Sequence, residues 1–269
     1  MLKTRPLLPL ILVLAAMVLT ACQNYTVYFR YPEERANFFT ERPATSLYVA
    51  EPVDLRPQKQ REGSGAFVTL RFPGDDKLDV PVSSIVRRAL MQDILSTRVA
   101  RLVQNPENAD YLLQTQVLSM TTELHRTGRQ FAVPLLVGVG VGLAAGAGTD
   151  LSHGVKLGLV GMVLGTFIPL PTRTEGLVEM RLELRDQDTG ELVWSTNCTG
   201  SEVDKVSLSI SAREDKKLAE RFLPAALKRA NACAVGQLYQ YLQEAEGVHQ
   251  PSDEPQTEPE GSEGGAAGV

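Results

Sequence analysis

The stretch Phe131–Gly148 constrains the fold of this chain more than any other. It reads Phe-Ala-Val-Pro-Leu-Leu-Val-Gly-Val-Gly-Val-Gly-Leu-Ala-Ala-Gly-Ala-Gly, eighteen residues without a charge or a polar side chain. Residues 149–153 interrupt it, and residues 154–170 are apolar again apart from Lys156 and Thr166. As helices the two pieces would reach about 25–27 Å, at ~1.5 Å per residue. An outer-membrane apolar band is about 25 Å tall, so each piece is marginally long enough to cross it, and the polar break makes the pair a hairpin. Gly138, Gly142 and Gly146 recur every four residues, as do Gly154 with Gly158 and Gly161 with Gly165. Small residues at that spacing share one helix face and let backbones approach closely where lipid supplies no hydrophobic drive between helices. Glycine costs roughly 1 kcal/mol against alanine in a water-exposed helix, so seven spaced glycines require a packing reason. The expectation is a glycine-zipper hairpin of transmembrane helices over residues 131–170, packed on itself or on copies in other subunits. The competing reading is an apolar segment folded against its own domain. A dinucleotide-binding turn is imitated by Gly140-Val-Gly-Leu-Ala-Ala145, but no acidic residue about twenty positions on, within a βαβ pattern, accompanies it.

The start of the chain is a second constraint. Lys3 and Arg5 precede an apolar run from Leu7 to Leu19, which ends in Leu19-Thr20-Ala21-Cys22. A basic region, an apolar run and small residues before a cleavage point make a secretory signal over residues 1–21. The ending resembles the lipobox of bacterial lipoproteins. That resemblance implies cleavage before Cys22 and acylation of its sulfur with palmitate-class chains. Several acyl chains anchor a protein stably where one does so only marginally. Gln23 follows the cysteine, and by resemblance to enterobacterial lipoproteins this favours the outer membrane. The alternative is an ordinary signal peptide with a coincidental cysteine.

Charge removes other classes. The chain has 27 Lys+Arg against 32 Asp+Glu, a net charge of −5, and losing Lys3 and Arg5 with the signal makes it −7. A nucleic-acid partner needs a basic face to displace counterions, so none is expected. Residues 247–269 hold Asp253, Glu254, Glu258, Glu260 and Glu263 with no Lys or Arg. Such a Gly-, Pro- and Glu-rich tail buries too little surface to offset ordering entropy and is expected to be disordered.

Between these segments the pattern is α+β. Aromatics cluster at Tyr25, Tyr28, Phe29, Tyr31, Phe38 and Phe39, either an interfacial belt on the membrane or a first strand over 25–31. Strands are expected at 46–52, 63–72 and 109–120. A helix capped by Ser83 or Ser84 should run to about Leu102, with Arg87, Arg88, Arg98 and Arg101 on its polar side. Met180, Leu182 and Leu184 alternate with charged residues, predicting a half-buried strand. Asp186–Gly190 turns the chain, and a return strand follows with Leu192 and Trp194 inward. A long helix then spans about 215–246, kinked or started by Pro224. Segregated elements in this order predict a mostly antiparallel sheet with two packed helices, formed by residues 22–130 and 171–246 with the apolar hairpin inserted between them. In an oxidising envelope Cys198 and Cys233 would pair and tie the last helix to the sheet, the alternative being two buried thiols.

No constellation for catalysis emerges. His125, His153 and His249 are far apart, and no His-Glu-x-x-His, Cys-x-x-Cys or Gly-x-Ser-x-Gly occurs. No metal, cofactor or enzyme activity is expected. The layout resembles the TraT-type outer-membrane lipoproteins, which act in surface exclusion and complement resistance. The resemblance is carried by the lipobox, Leu47–Ala50, the helix near Ser84–Leu102, Ala109-Asp110-Tyr111 and the Gly/Ala stretch with Gly158-Leu-Val-Gly-Met162. It implies a non-enzymatic, homo-oligomeric lipoprotein with membrane-embedded segments. The hairpin at Asp186–Gly190, the two cysteines and the acidic tail depart from that pattern. A weaker resemblance, through Asp186-x-x-Thr-Gly-x-x-x-Trp194, is to periplasmic adaptor lipoproteins of transport and secretion complexes, which dock to envelope protein partners.

Overall fold

A computed structural model describes residues 25–32, 44–65, 69–125, 128–146, 151–165, 170–208 and 212–248. Cys22, Phe38, Phe39 and residues 249–269 lie outside them. Among the described residues eight strands form one sheet: β1 (Ser46–Val49), β2 (Val53–Asp54), β3 (Ser64–Gly65), β4 (Thr69–Phe72), β5 (Arg101–Leu102), β6 (Tyr111–His125), β7 (Leu170–Asp186) and β8 (Leu192–Leu208). The helices are α1 (Gln58–Arg61), α2 (Val82–Thr97), α3 (Gly128–Gly146), α4 (Leu151–Gly165) and α5 (Ala212–Val248).

The backbone of the sheet is the ribbon β6–β7–β8, antiparallel throughout and pairing Leu124 with Thr174 at one end and Leu184 with Trp194 near the other. The expected alternation is present here, with Met180, Leu182 and Leu184 buried. The expected mostly antiparallel sheet is corrected on the other edge of β6. There β1 and β2 run parallel to β6, β4 runs antiparallel, and β5 extends the sheet parallel to β1. The sheet is therefore mixed. Parallel neighbours need a crossover of a dozen or more residues, and α2 supplies it between β2 and β6. Helix and strand patterns are local, whereas the direction of return is not.

A single bulge organises the face of β6. Leu113, Thr115 and Val117 point to the core, the register slips between Val117 and Ser119, and Met120, Thr122 and Leu124 take over the same side. One extra residue reverses the parity of every side chain beyond it. On the outer edge, Gln60 fills the gap between β2 and β4. Its amide nitrogen donates to Ser119 Oγ at 3.0 Å and its oxygen accepts from the Met120 N–H at 3.3 Å.

Helix α5 is 37 residues long and β8 is 17, about 55 Å each at ~1.5 and ~3.3 Å per residue. The helix thus covers the ribbon along its whole length. Ala219, Phe222, Ala226, Ala230, Ala234 and Leu238 are buried at helical spacing. Contact is closest where the sheet has glycine. A Cβ on Gly176 would stand 2.7 Å from the Phe222 carbonyl oxygen, and one on Gly200 would stand 2.0 Å from that of Ala226. Pro224 lies inside this continuous helix rather than at its start. Helix α2 packs beside α5 and buries Ile85, Val86, Ala89, Leu90 and Ile94 in the core.

Several local expectations are also corrected. Pro81 precedes α2 and neither Ser83 nor Ser84 caps it. The helix ends at Thr97 because Arg98 adopts φ 62°, and the chain then enters β5. Residues 25–31 form no strand, only a single bridge from Val27 to Leu78. Leu192 is exposed, and Trp194 packs against Tyr241 with ring centroids 6.0 Å apart.

At the β2 corner, buried Arg56 donates to Asp54 at 2.9 and 2.8 Å and to Asp75 at 2.6 Å. Burial alone would raise the Asp54 carboxyl, but hydrogen bonds from Arg56 outweigh it and hold the group below its ordinary value. A depressed carboxylate contributes stability above its unfolded pKa, and that stability is lost as pH falls through the folded value. Urea midpoints measured from pH 7 down to pH 3 should therefore fall less steeply in Asp54→Asn than in the parent. Gly200→Ala should cost about 3 kcal/mol or more, since backbone atoms of α5 cannot yield as a flexible side chain would. Urea denaturation reads this directly, and an unchanged midpoint would show that α5 does not lie this close.

Candidate functional site

Candidate features lie in three places. The first is the strap at 25–32 that follows Cys22. Val27 is fully buried; its N–H donates to the Lys77 carbonyl at 2.7 Å, and its own carbonyl accepts from the Asp79 N–H at 3.1 Å. The Tyr28 N–H donates to Glu220 Oε1 at 3.1 Å, and Lys216 Nζ stands 4.8 Å from the Tyr28 ring centroid. Burial, then the charges of Asp215 and Asp76, push the Tyr25 phenol up to about 12.

The strap ends in a polar cluster between the two core helices. The Tyr31 hydroxyl donates to Asp93 Oδ2 and accepts from Asn231 Nδ2 at 2.8 Å. Lys228 Nζ donates to Asp93 Oδ1 at 2.5 Å and lies 5.1 Å from the Tyr31 ring centroid. Asp93 is 4% exposed, and such a buried carboxylate is tolerable only when paired and hydrogen-bonded. Burial, and next the bond to Asp93, raise the Tyr31 phenol far above its ordinary value. It stays protonated at neutral pH and serves as a donor that fastens the strap. Sequence reasoning missed this cluster. The available signal was Asp93 itself, a charge set among Ala89, Leu90, Ile94 and Thr97 on the apolar face of α2.

The second place is the pair α3–α4, whose glycines do meet. A Cβ on Gly142 would stand 3.0 Å from the Gly154 carbonyl oxygen and 3.3 Å from Gly158 Cα. One on Gly158 would stand 3.0 Å from the Gly138 carbonyl oxygen, and one on Gly161 would stand 3.3 Å from Gly138 Cα. Gly146 and Gly165 are the last residues of α3 and α4, and their surroundings lie outside the described residues. Leu136, Val139 and Leu143 on α3 and Val155, Leu157 and Leu159 on α4 are exposed. The expected transmembrane helices are not found: among the described residues no helix is long and apolar enough to cross a membrane. The 15 residues of α4 reach only about 22 Å, and the first turn of α3 contains Arg129 and Gln130.

The third is the bond between Cys198 on β8 and Cys233 on α5, whose Cα atoms are 5.8 Å apart. It closes a separation of 35 residues, for which chain entropy supplies about 3–4 kcal/mol. Among the described residues no group of three or more His, Cys, Asp or Glu could hold a metal ion. His125 stands at the end of β6, 3.6 Å from Glu123.

No family model matches the chain, and no curated protein sequence does. Among solved structures it is similar to a DUF330 protein of Xanthomonas campestris, with 11% identity over 83% of this chain and 98% of the other, at a TM-score of 0.44. A PelC dodecamer from Paraburkholderia phytofirmans shares 14% identity over 71% of this chain and 94% of the other, at 0.29. A lipoprotein of Neisseria meningitidis shares 9% over 77% and 99%, at 0.27. At these TM-scores the likeness bears on neither mechanism nor partner.

Replacing Cys198 and Cys233 together by serine should lower stability by about 3 kcal/mol in urea denaturation without reducing agent. Adding reductant should bring the parent to the midpoint of the double variant. A parent insensitive to reductant would mean that the two thiols are not joined.

Proposed function

We propose that this chain is a non-enzymatic lipoprotein of the bacterial outer membrane, anchored by acyl chains on Cys22. It self-assembles or inserts in the membrane through the α3–α4 pair. The observation that supports this most is the two-sidedness of that pair. Glycines draw its helices into backbone contact where they face each other, and eight large aliphatic side chains of the pair, Leu135 and Val141 besides the six named above, stand exposed. Apolar surface of this kind marks an interface with lipid or protein. The lipobox-like Leu19–Cys22 supplies the anchor. The resemblance to TraT-type proteins remains one of layout.

A second reading has its own support. With no helix among the described residues long and apolar enough to cross a membrane, the pair would instead dock onto protein, and the chain would be a periplasmic adaptor of an envelope transport or secretion complex.

The deciding experiment replaces Cys22 by serine with signal cleavage preserved, then washes membranes with alkaline carbonate. A protein that stays until detergent is added is embedded through α3 and α4. A protein that becomes freely soluble transfers the case to the adaptor reading.

A further inference from the structure

The ribbon has two distinguishable ends. The turn after Asp186 and Trp194 on β8 mark one, and His125, Leu170 and Leu208 mark the other, roughly 50 Å away at ~3.3 Å per residue. Helix α3 begins at Gly128, just after His125, and α4 ends at Gly165, just before Leu170. Both are therefore rooted at the second end. Helix α5 starts there too, because Ala212 follows Leu208, and its later residue Tyr241 lies against Trp194.

The strap runs toward the same end. Tyr31 is held at Asn231 and Lys228, Tyr28 at Glu220 and Lys216, and Tyr25 lies within the field of Asp215. Read from Tyr31 back to Tyr25, the contacts step along α5 to its first turn. Cys22 is three residues before Tyr25, a reach of about 11 Å at most. The two hydrogen bonds of Val27 and the Tyr31 cluster prevent the strap from paying out as a longer leash.

We infer that the end of the sheet bearing His125, Leu170 and the first turn of α5 is the surface this domain presents to the lipid bilayer, with Trp194 and the Asp186 turn directed away from it. The inference rests on acylation of Cys22. It adds that the acyl anchor and the α3–α4 pair act at one face, so the domain stands on the membrane in one orientation rather than swinging on a tether.

The chain has a single tryptophan, Trp194, at the far end. The acylated protein is reconstituted into phosphatidylcholine vesicles containing a dansyl-headgroup lipid, and energy transfer from tryptophan is recorded. Two variants carry Trp194→Phe and place the reporter near the second end, at Val203→Trp or Tyr28→Trp, positions that are 45% and 53% exposed. Transfer should be at least five-fold more efficient from either near-end reporter than from Trp194. Equal transfer from both ends, with the protein bound, overturns the orientation and leaves the anchor standing. Stronger transfer from Trp194 does the same. Failure of the acylated protein to bind vesicles at all overturns the anchor and this inference with it.

Discussion

The closest physical constraint in this molecule is the approach of α5 to the sheet at Gly176 and Gly200, where no side chain could be interposed. Ala226 and Ala230 supply the small residues on the helix side. Once the helix sits that low, Phe222, Leu223, Leu227 and Leu238 are fully buried, and Cys233 comes within bonding reach of Cys198. The same placement brings Lys228 and Asn231 alongside Asp93 of α2. Packing on the sheet thus determines where the polar cluster can form.

That cluster is the link between the core and the start of the chain. Tyr31 enters a slot whose charge balance is set by Asp93 and Lys228, so fastening the strap completes the pairing of a buried carboxylate. A loosely attached N-terminal segment would leave Asp93 short of a donor. Through Val27 and Tyr28 the strap is guided along α5 to the end at which α3 and α4 leave the sheet. The strap and the glycine-rich helices are far apart in sequence but are brought toward one end by the antiparallel ribbon.

Glycine has two different uses here. In β7 and β8 it admits a helix against a sheet, and each position faces backbone atoms that cannot move aside. In α3 and α4 it admits helix against helix, as the four-residue spacing of Gly138 with Gly142 and Gly154 with Gly158 announces. Gly140 is the contrast, with nothing within 4 Å of its would-be Cβ. Spacing separates the contacting glycines of the helices from this one, whereas nothing in the local pattern of β7 marks Gly176 as different from a turn residue.

Features that depend on periodicity and composition can be read along the chain alone. The alternation of Met180, Leu182 and Leu184, the helical recurrence along α5 and the glycine faces of α3 and α4 were all legible, because each is a property of neighbours along the chain. The candidate site was legible only in part: Cys198 and Cys233 could be read as a potential pair, whereas Cys22 lies outside the described residues. The remaining features come from long-range packing. The parallel placement of β1 and β2 depends on where α2 returns the chain. The parity of β6 depends on one bulge. The Tyr31–Asp93–Lys228–Asn231 cluster joins residues up to 200 positions apart. These are outcomes of long-range packing, in which a residue's role is set by what lies across from it, and no window of sequence contains that information.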